Sequence, residues 1–332
     1  MSLLGRLSVV GAAPPPAGTP LEGVLRGAVG ERTLPVVCRN LGIPCGLESQ
    51  ILARQIQAAH QVREILRGVE AIPLKGLYLA HRLYPSPALR DMGDVDLLVR
   101  RREVPAADGT LRALGYVPDR GAARAAAGGG EFLNSVLYAR EGSFPVHLHW
   151  DLANASLPHF MVRIDAEEVW REARGGEMAR HHLVVTLCEH ALKHSFEALV
   201  YLTDIELASR GVDWGLAAEV SRRWGLERPV RWALVLLRDL MEVESPGLGR
   251  LAAGPPGWGE RVFLRAARRR WRAGLSALGY LSMARGAGAK ARFVREALFP
   301  GRRQSEGFTS RSPWARLGRA ASLLWQGVRE RA

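Results

Sequence analysis

The sequence predicts an α+β fold in which a small mixed sheet with flanking helices is followed by a mostly helical C-terminal part. Three observations carry that reading. Short apolar segments of strand character crowd between residues 71 and 152. From His182 onward apolar side chains return every three or four positions with hardly a break, which is the period of helices packed on a core. Regular strand–helix–strand alternation is missing, so a purely parallel sheet does not fit the pattern.

With 332 residues, 47% of them hydrophobic, the chain can bury the core of one large domain or of two. We divide it into an N-terminal arm with short helices (1–48), a sheet-bearing core (49–155), a helical domain (156–249) and a basic, tryptophan-containing helical region (250–332). No apolar run approaches the roughly 20 residues that cross a bilayer. Residues 7–13 resemble a weak signal sequence, and Pro14-Pro15-Pro16 behind them reads as a loose arm. Three cysteines, of which Cys38 and Cys45 have no metal or redox spacing, fit a reducing, cytoplasmic compartment.

Taken in order, residues 49–69 carry Ile51, Leu52, Ile56, Ala59, Val62, Ile65, Leu66 and Val69 at helical spacing. A short strand over 71–74 follows, and Pro73 within it places that strand at a sheet edge. A helix over 77–83 comes next, then a strand entered at Asp94. Pro105 fits the first turn of a helix that runs to Leu114 and closes on Gly115. Residues 121–130 are alanine- and glycine-rich and read as a flexible loop. Residues 132–139 and 144–152 form a hairpin around Glu141-Gly142-Ser143, with Trp150 as a core anchor. Helices are expected over 183–196, 199–209, 214–224 and 229–242. His181-His182 reads as a surface turn. His190 and His194, one turn apart, read as core histidines rather than metal ligands.

The chemistry concentrates in two motifs. Asp94 and Asp96 are one residue apart and lead into Leu97-Leu98-Val99. On a strand, residues i and i+2 share a face at a rise of about 3.3 Å per residue, so both carboxylates project together. Mg²⁺ takes oxygen ligands and commonly uses one or two carboxylates plus substrate phosphate. Lys75-Gly76 sits between a strand and a helix, where glycine admits close approach and a helix N-terminus presents N–H groups to anions. The chain has only three lysines (Lys75, Lys193 and Lys290) against 43 arginines. A lysine at that turn therefore stands out as a compact charge suited to phosphate.

These residues resemble the uncharacterised nucleotidyltransferases of the DNA polymerase β superfamily found widely in bacteria. The resemblance rests on Leu74-Lys75-Gly76, Leu83-Tyr84-Pro85, residues 90–99, Leu114-Gly115-Tyr116, Val146-His147-Leu148-His149-Trp150, and the stretch from His190-Ala191-Leu192-Lys193-His194 to Asp204. It covers roughly residues 50–245 and implies a polymerase-β-like core. The implied activity is Mg²⁺-dependent transfer of a nucleoside monophosphate (NMP) from a nucleoside triphosphate (NTP), with Mn²⁺ as a substitute metal. Asp94 and Asp96 would be the catalytic metal ligands, Lys75 and Gly76 would meet the triphosphate, and Arg90 would stabilise charge or pair with Asp91 or Asp94. The sequence departs from the family at the third carboxylate, where His147 stands. His149 and Asp151 are further candidates, Asp151 sharing the face of His147 and His149 if the strand runs that far. The acceptor stays open among a protein, a small molecule and an RNA end. A catalytically degenerate nucleotide- or RNA-binding protein is the alternative that His147 favours.

Charge separates the C-terminal region from the rest. Residues 250–332 hold 18 Lys and Arg against 4 Asp and Glu, whereas residues 1–249 hold 28 against 29. Arg265, Arg268, Arg269, Arg270 and Arg272 cluster, with Trp258, Trp271, Trp314 and Trp325 among the basic residues. Such a surface suits a polyanion, and residues 314–328 read as an amphipathic helix for an anionic membrane. A membrane-surface accessory role in a biosynthetic pathway is the third reading, beside arginine that merely fills free surface.

Overall fold

The computed structural model describes residues 2–119, 134–153, 160–251, 256–269 and 275–299. The N-terminal part holds α1 (Leu3–Leu7), α2 (Glu22–Gly30), α3 (Leu34–Leu41) and the long α4 (Glu48–Ile65). The sheet region holds β1 (Ile72–Leu74), α5 (Lys75–Arg82), β2 (Val95–Leu98), α6 (Val104–Ala113), β3 (Val117–Pro118), β4 (Ser135–Ala139) and β5 (Val146–His149). After it come α7 (Ala166–Glu172), α8 (Arg180–Lys193), α9 (Leu199–Ser209), α10 (Trp214–Arg223), α11 (Glu227–Met241), α12 (Trp258–Arg268), α13 (Leu275–Met283) and α14 (Gly286–Leu298).

The five strands form one mixed sheet in the order β1-β2-β5-β4-β3. β2 runs antiparallel to β1 and parallel to β5, and the other neighbours are antiparallel. Both edge strands contain a proline, Pro73 and Pro118, where the missing N–H breaks no ladder. α6 opens with Pro105 in its first turn and ends at Gly115, whose φ of +83° suits glycine and lets Tyr116 N–H bond Leu111 O at 2.9 Å.

Strand alternation divides the sheet into two unlike faces. Val95, Leu97, Val136, Tyr138, Val146 and Leu148 point to a face covered by α4 and α6, with Trp150 buried beside them. Ile72, Leu74 and Leu98 point the other way and join the large core built with the helices after residue 160. Asp96, His147 and His149 share that second face, so the helical part lies over the polar end of the sheet as well as its apolar end.

α4 turns a different stripe inward from the one its aliphatic residues outline. Leu52 and Ile56 are exposed, whereas Gln55 and Gln61 are buried. The reason is hydrogen bonding: Gln61 donates to Phe144 O at 2.8 Å and accepts from Phe144 N–H at 3.0 Å, and Gln55 donates to Arg90 O. These amides satisfy backbone groups that no strand partner reaches.

The first of the N-terminal short helices docks on the core: Leu7 is fully buried, Ser8 O accepts from Thr203 at 3.0 Å, and Asn40 donates to Leu7 O and Val9 O. Other expectations need correction. The hairpin strands are shorter than the apolar runs, because the ladder ends at Ser135↔His149. His182 is not in a surface turn but is buried in the first turn of α8, stacked on Trp224 and 3.4 Å from Glu168. The alanine- and glycine-rich loop over 121–130, Arg270, Trp271, Arg272 and the helix expected over 314–328 lie outside the described residues. Among the described residues no helix is long and apolar enough to cross a membrane.

A buried ion pair joins the sheet region to the helical part. Arg90 donates to Asp204 of α9 through Nε at 2.9 Å and Nη2 at 2.8 Å, and Tyr84 Oη donates to the same carboxylate at 2.8 Å. Both side chains are almost fully buried. Removing one partner strands the other charge away from water, which typically costs about 3–5 kcal/mol. Asp204→Ala is therefore expected to lower stability to urea by about that amount, and a loss below about 1 kcal/mol would show the pair to be dispensable.

Candidate active site

β2 sets the centre of the site. Asp96 lies opposite Leu74 on β1 and His147 on β5 in the strand register. Its Oδ1 accepts from Lys75 Nζ at 2.8 Å and from His149 Nε2 at 2.7 Å, and His147 Nδ1 stands 3.7 Å away. Ligand atoms of Asp96, His147 and His149 all fall within 4.8 Å of one another. Asp94, two residues earlier, is outside that tight group but lines the same cleft, and among the described residues it makes no hydrogen bond or ion pair.

The charges follow from burial and neighbours. Burial pushes the Asp96 carboxyl up, but the Lys75 ammonium and the His149 hydrogen bond outweigh it and hold Asp96 well below the usual carboxylate range. Burial, with the Asp96 charge beside it, raises Asp94. Burial depresses His147 to about 3 and His149 to about 4, so both imidazoles are neutral near pH 7. The His149–Asp96 contact is thus a hydrogen bond from a neutral ring rather than an ion pair.

Lys75 opens α5 with φ of +49°, a left-handed conformation that is costly for a side-chain-bearing residue. Leu74 before it gives α5 no side-chain cap, so the helix N-terminus faces the cleft without a side chain bonded to it. Gly76 sits in close approach to β2's entry: a Cβ there would stand 3.0 Å from Met92 Cβ, so Met92 would have to give way. Ser195 and Phe196, at φ of +58° and +49°, end α8 just past His194. Left-handed backbone thus gathers around the cleft, as it tends to at functional sites.

α8 and α9 supply the opposite wall. The cleft has a volume of about 440 Å³, within the range of small-molecule sites, and His190, Lys193, His194 and Tyr201 line it together with Arg32. Sequence reasoning missed this wall. His190 and His194 read as core residues because helical spacing cannot tell a core from a cleft-facing stripe. Tyr201 packs against both rings. The rarity of lysine was a usable signal, since two of the three lysines, Lys75 and Lys193, line one cleft.

Two other expected residues sit elsewhere. Arg90 borders the cleft, but its guanidinium is committed to Asp204 and to Asp91 O rather than to the carboxylate of Asp91 or Asp94. The strand ends at His149, so Asp151 does not continue the His147 face; its Oδ1 accepts from Ala153 N–H at 2.9 Å in a turn.

The profile of a family described as uncharacterised nucleotidyltransferase matches residues 47–242, more than half of the chain, and the chain belongs to that family. No curated protein and no solved structure matches it. Nucleotidyl transfer is accordingly the activity class, and its substrate class is nucleotides.

Lys193 makes no hydrogen bond or ion pair among the described residues. Burial lowers its pKa, and the Lys75 charge lowers it further. An anion placed between the two ammonium groups relieves that repulsion. Lys193→Met is therefore expected to keep or raise the melting temperature without ligand. It should also cut the rise in melting temperature that pyrophosphate gives the wild type by more than half. An equal pyrophosphate response in both proteins would remove Lys193 from the anion site.

Proposed function

We propose that the cleft binds an NTP with a divalent cation and transfers its NMP to a hydroxyl-bearing acceptor. The observation that carries this is the opposition, in one cleft, of two carboxylates, Asp96 on β2 and Asp94 just ahead of it, to Lys75 at the uncapped N-terminus of α5 and Lys193 at the end of α8. Carboxylates suit a metal ion, and ammonium groups with helix N–H donors suit phosphates. A metal–triphosphate complex presents both charges side by side.

The donor set fits a divalent cation: among the described residues Asp94 carries no hydrogen bond or ion pair and Asp96 Oδ2 is left after Oδ1 takes Lys75 and His149, and His147 adds a ring nitrogen. Asp94, Asp96 and His147 would hold it, with Mg²⁺ the usual choice of such enzymes and Mn²⁺ a substitute. When bound, the cation supplies Lewis-acid polarisation at the α-phosphate. The acceptor hydroxyl oxygen bonds the α-phosphorus as the α–β phosphoanhydride bond breaks, its proton passes to solvent, and pyrophosphate departs. Lys75, Lys193 and the Gly76 backbone hold the leaving group and offset its growing negative charge. His149 fixes the Asp96 carboxylate through its hydrogen bond. His190, His194 and Tyr201 offer rings against which a planar base can stack.

The basic C-terminal helices give the acceptor a second place to dock. Trp258 on α12 is 74% exposed, and Arg261, Arg265 and Arg268 lie on the same helix. We assign this region to polyanion or anionic-surface contact, separate from the transfer chemistry. A nucleotide-binding relative without transfer is the second reading, favoured by the imidazole at the third-carboxylate position.

Transfer of label from α-³²P-NTP into the protein, RNA and small-molecule fractions of a cell extract tests the proposal. Wild type is expected to label one fraction in a metal-dependent way, and Asp94→Asn to reduce that by about 10²-fold or more at an unchanged melting temperature. Undiminished labelling by Asp94→Asn would refute the role given to that carboxylate.

A further inference from the structure

We infer that the metal site selects a transition-type divalent cation such as Mn²⁺ or Co²⁺ over Mg²⁺, and that His147 is the residue that sets this preference. The inference rests on the NTP–metal reading above and concerns the same cleft.

The tight donor cluster contains one carboxylate and two imidazoles, Asp96, His147 and His149. Mg²⁺ demands a near-octahedral oxygen shell and keeps its waters, so it is held chiefly by negative charge. Charge is what this cleft lacks. Asp96 already shares its Oδ1 with Lys75 at 2.8 Å, and Lys193 brings a second ammonium to the same space. With a carboxylate at position 147 the cleft would set three anionic groups against Lys75, Lys193 and Arg32; with histidine it sets two against those three cations. A hard, strongly hydrated cation loses its attraction under that balance.

A neutral ring nitrogen compensates only ions that bond nitrogen well. Imidazole suits Fe²⁺, Ni²⁺, Cu²⁺ and Zn²⁺, carboxylate, carbonyl and water suit Mg²⁺, and Mn²⁺, though it too favours oxygen, accepts a ring nitrogen more readily than Mg²⁺ does. The geometry makes His147 the nitrogen ligand. Its strand lies parallel and adjacent to β2, its ring stands across from Asp96 in register, and Nδ1 is 3.7 Å from Asp96 Oδ1. That gap is too long for a hydrogen bond, so the His147 ring is not committed to the carboxylate as His149 is. His149 plays the other part. It donates its ring N–H to Asp96 and so orients a first ligand, as the outer partners of metal sites do. His147 is therefore the member of the cluster left to coordinate.

The test is titration of the full chain with MnCl₂, CoCl₂ and MgCl₂ alone, without nucleotide, for wild type, His147→Glu and His147→Gln. Each variant is first checked for an unchanged circular-dichroism melt. Wild type is expected to bind Mn²⁺ at least about tenfold more tightly than Mg²⁺, and His147→Glu to shrink that ratio about tenfold or more by gaining Mg²⁺ affinity. Bound Co²⁺ should give a visible absorption spectrum that changes in both variants, because a nitrogen ligand is lost. His147→Gln keeps the neutral charge, so it carries the ligand test if His147→Glu fails to fold. An unchanged Mn²⁺/Mg²⁺ ratio in His147→Glu, or a Co²⁺ spectrum indifferent to His147→Gln, would overturn the inference. Repeating the titrations with NTP separates the two claims. Metal selectivity without NTP binding would sink the transfer reading alone, and NTP binding equally supported by Mg²⁺ and Mn²⁺ would sink the selectivity alone.

Discussion

A guanidinium buried just ahead of β2 and a carboxylate buried in a helix more than a hundred residues later hold the halves of this site together. Arg90 and Asp204 meet through two parallel hydrogen bonds, and Tyr84 adds a third to the same carboxylate. Such a pair is not a strong source of stability, because desolvating both ions offsets most of their attraction. Its value here is geometric. The planar fork accepts one relative placement of α9 and the segment entering β2. α8 leads into α9 through the left-handed turn at Ser195 and Phe196, so fixing α9 also fixes where His190, Lys193 and His194 face. The wall of the cleft that carries no strand is placed by this contact.

Within the cleft the electrostatics are unfinished without a ligand. Lys75 compensates Asp96, while Asp94 and Lys193 have no partners among the described residues. Four imidazoles around them are held neutral by burial and by the nearby ammonium groups, so they add polarity and shape but no charge. An arrangement of unmatched carboxylate and unmatched ammonium is poorly explained as a packing device. It matches a ligand that is itself cationic at one point and anionic at the next, and a metal-bound triphosphate has that pattern.

The sheet and most helices were legible because their signals are local. Pro73 marked an edge strand, Pro105 and Gly115 marked the ends of one helix, and the strand leading to Leu98 carries Asp96, whereas Asp94, expected on the same strand face, stands just ahead of it. Where the sequence misled, the cause was tertiary. Gln55 and Gln61 turned α4 by reaching backbone groups 35 and 83 residues away, which no helical periodicity records. Arg90 found its partner 114 residues downstream rather than among its neighbours. Asp151 left the strand face because the ladder stops at His149, two residues short. The register puts His147, the residue expected at the third-carboxylate position, directly beside Asp96. The second wall was hidden for a different reason: a histidine stripe looks the same to the sequence whether it faces a core or a ligand.

The central claim is that the cleft is a metal–triphosphate site, and calorimetric titration of each of the four NTPs, with Mn²⁺ and with Mg²⁺, tests it most directly. Wild type is to be run beside the double variant Asp94→Asn/Asp96→Asn. The account requires saturable binding of at least one NTP that depends on the metal and disappears in the double variant while both proteins remain folded. Failure of a folded wild type to bind any NTP, or equal binding by the double variant, would contradict it.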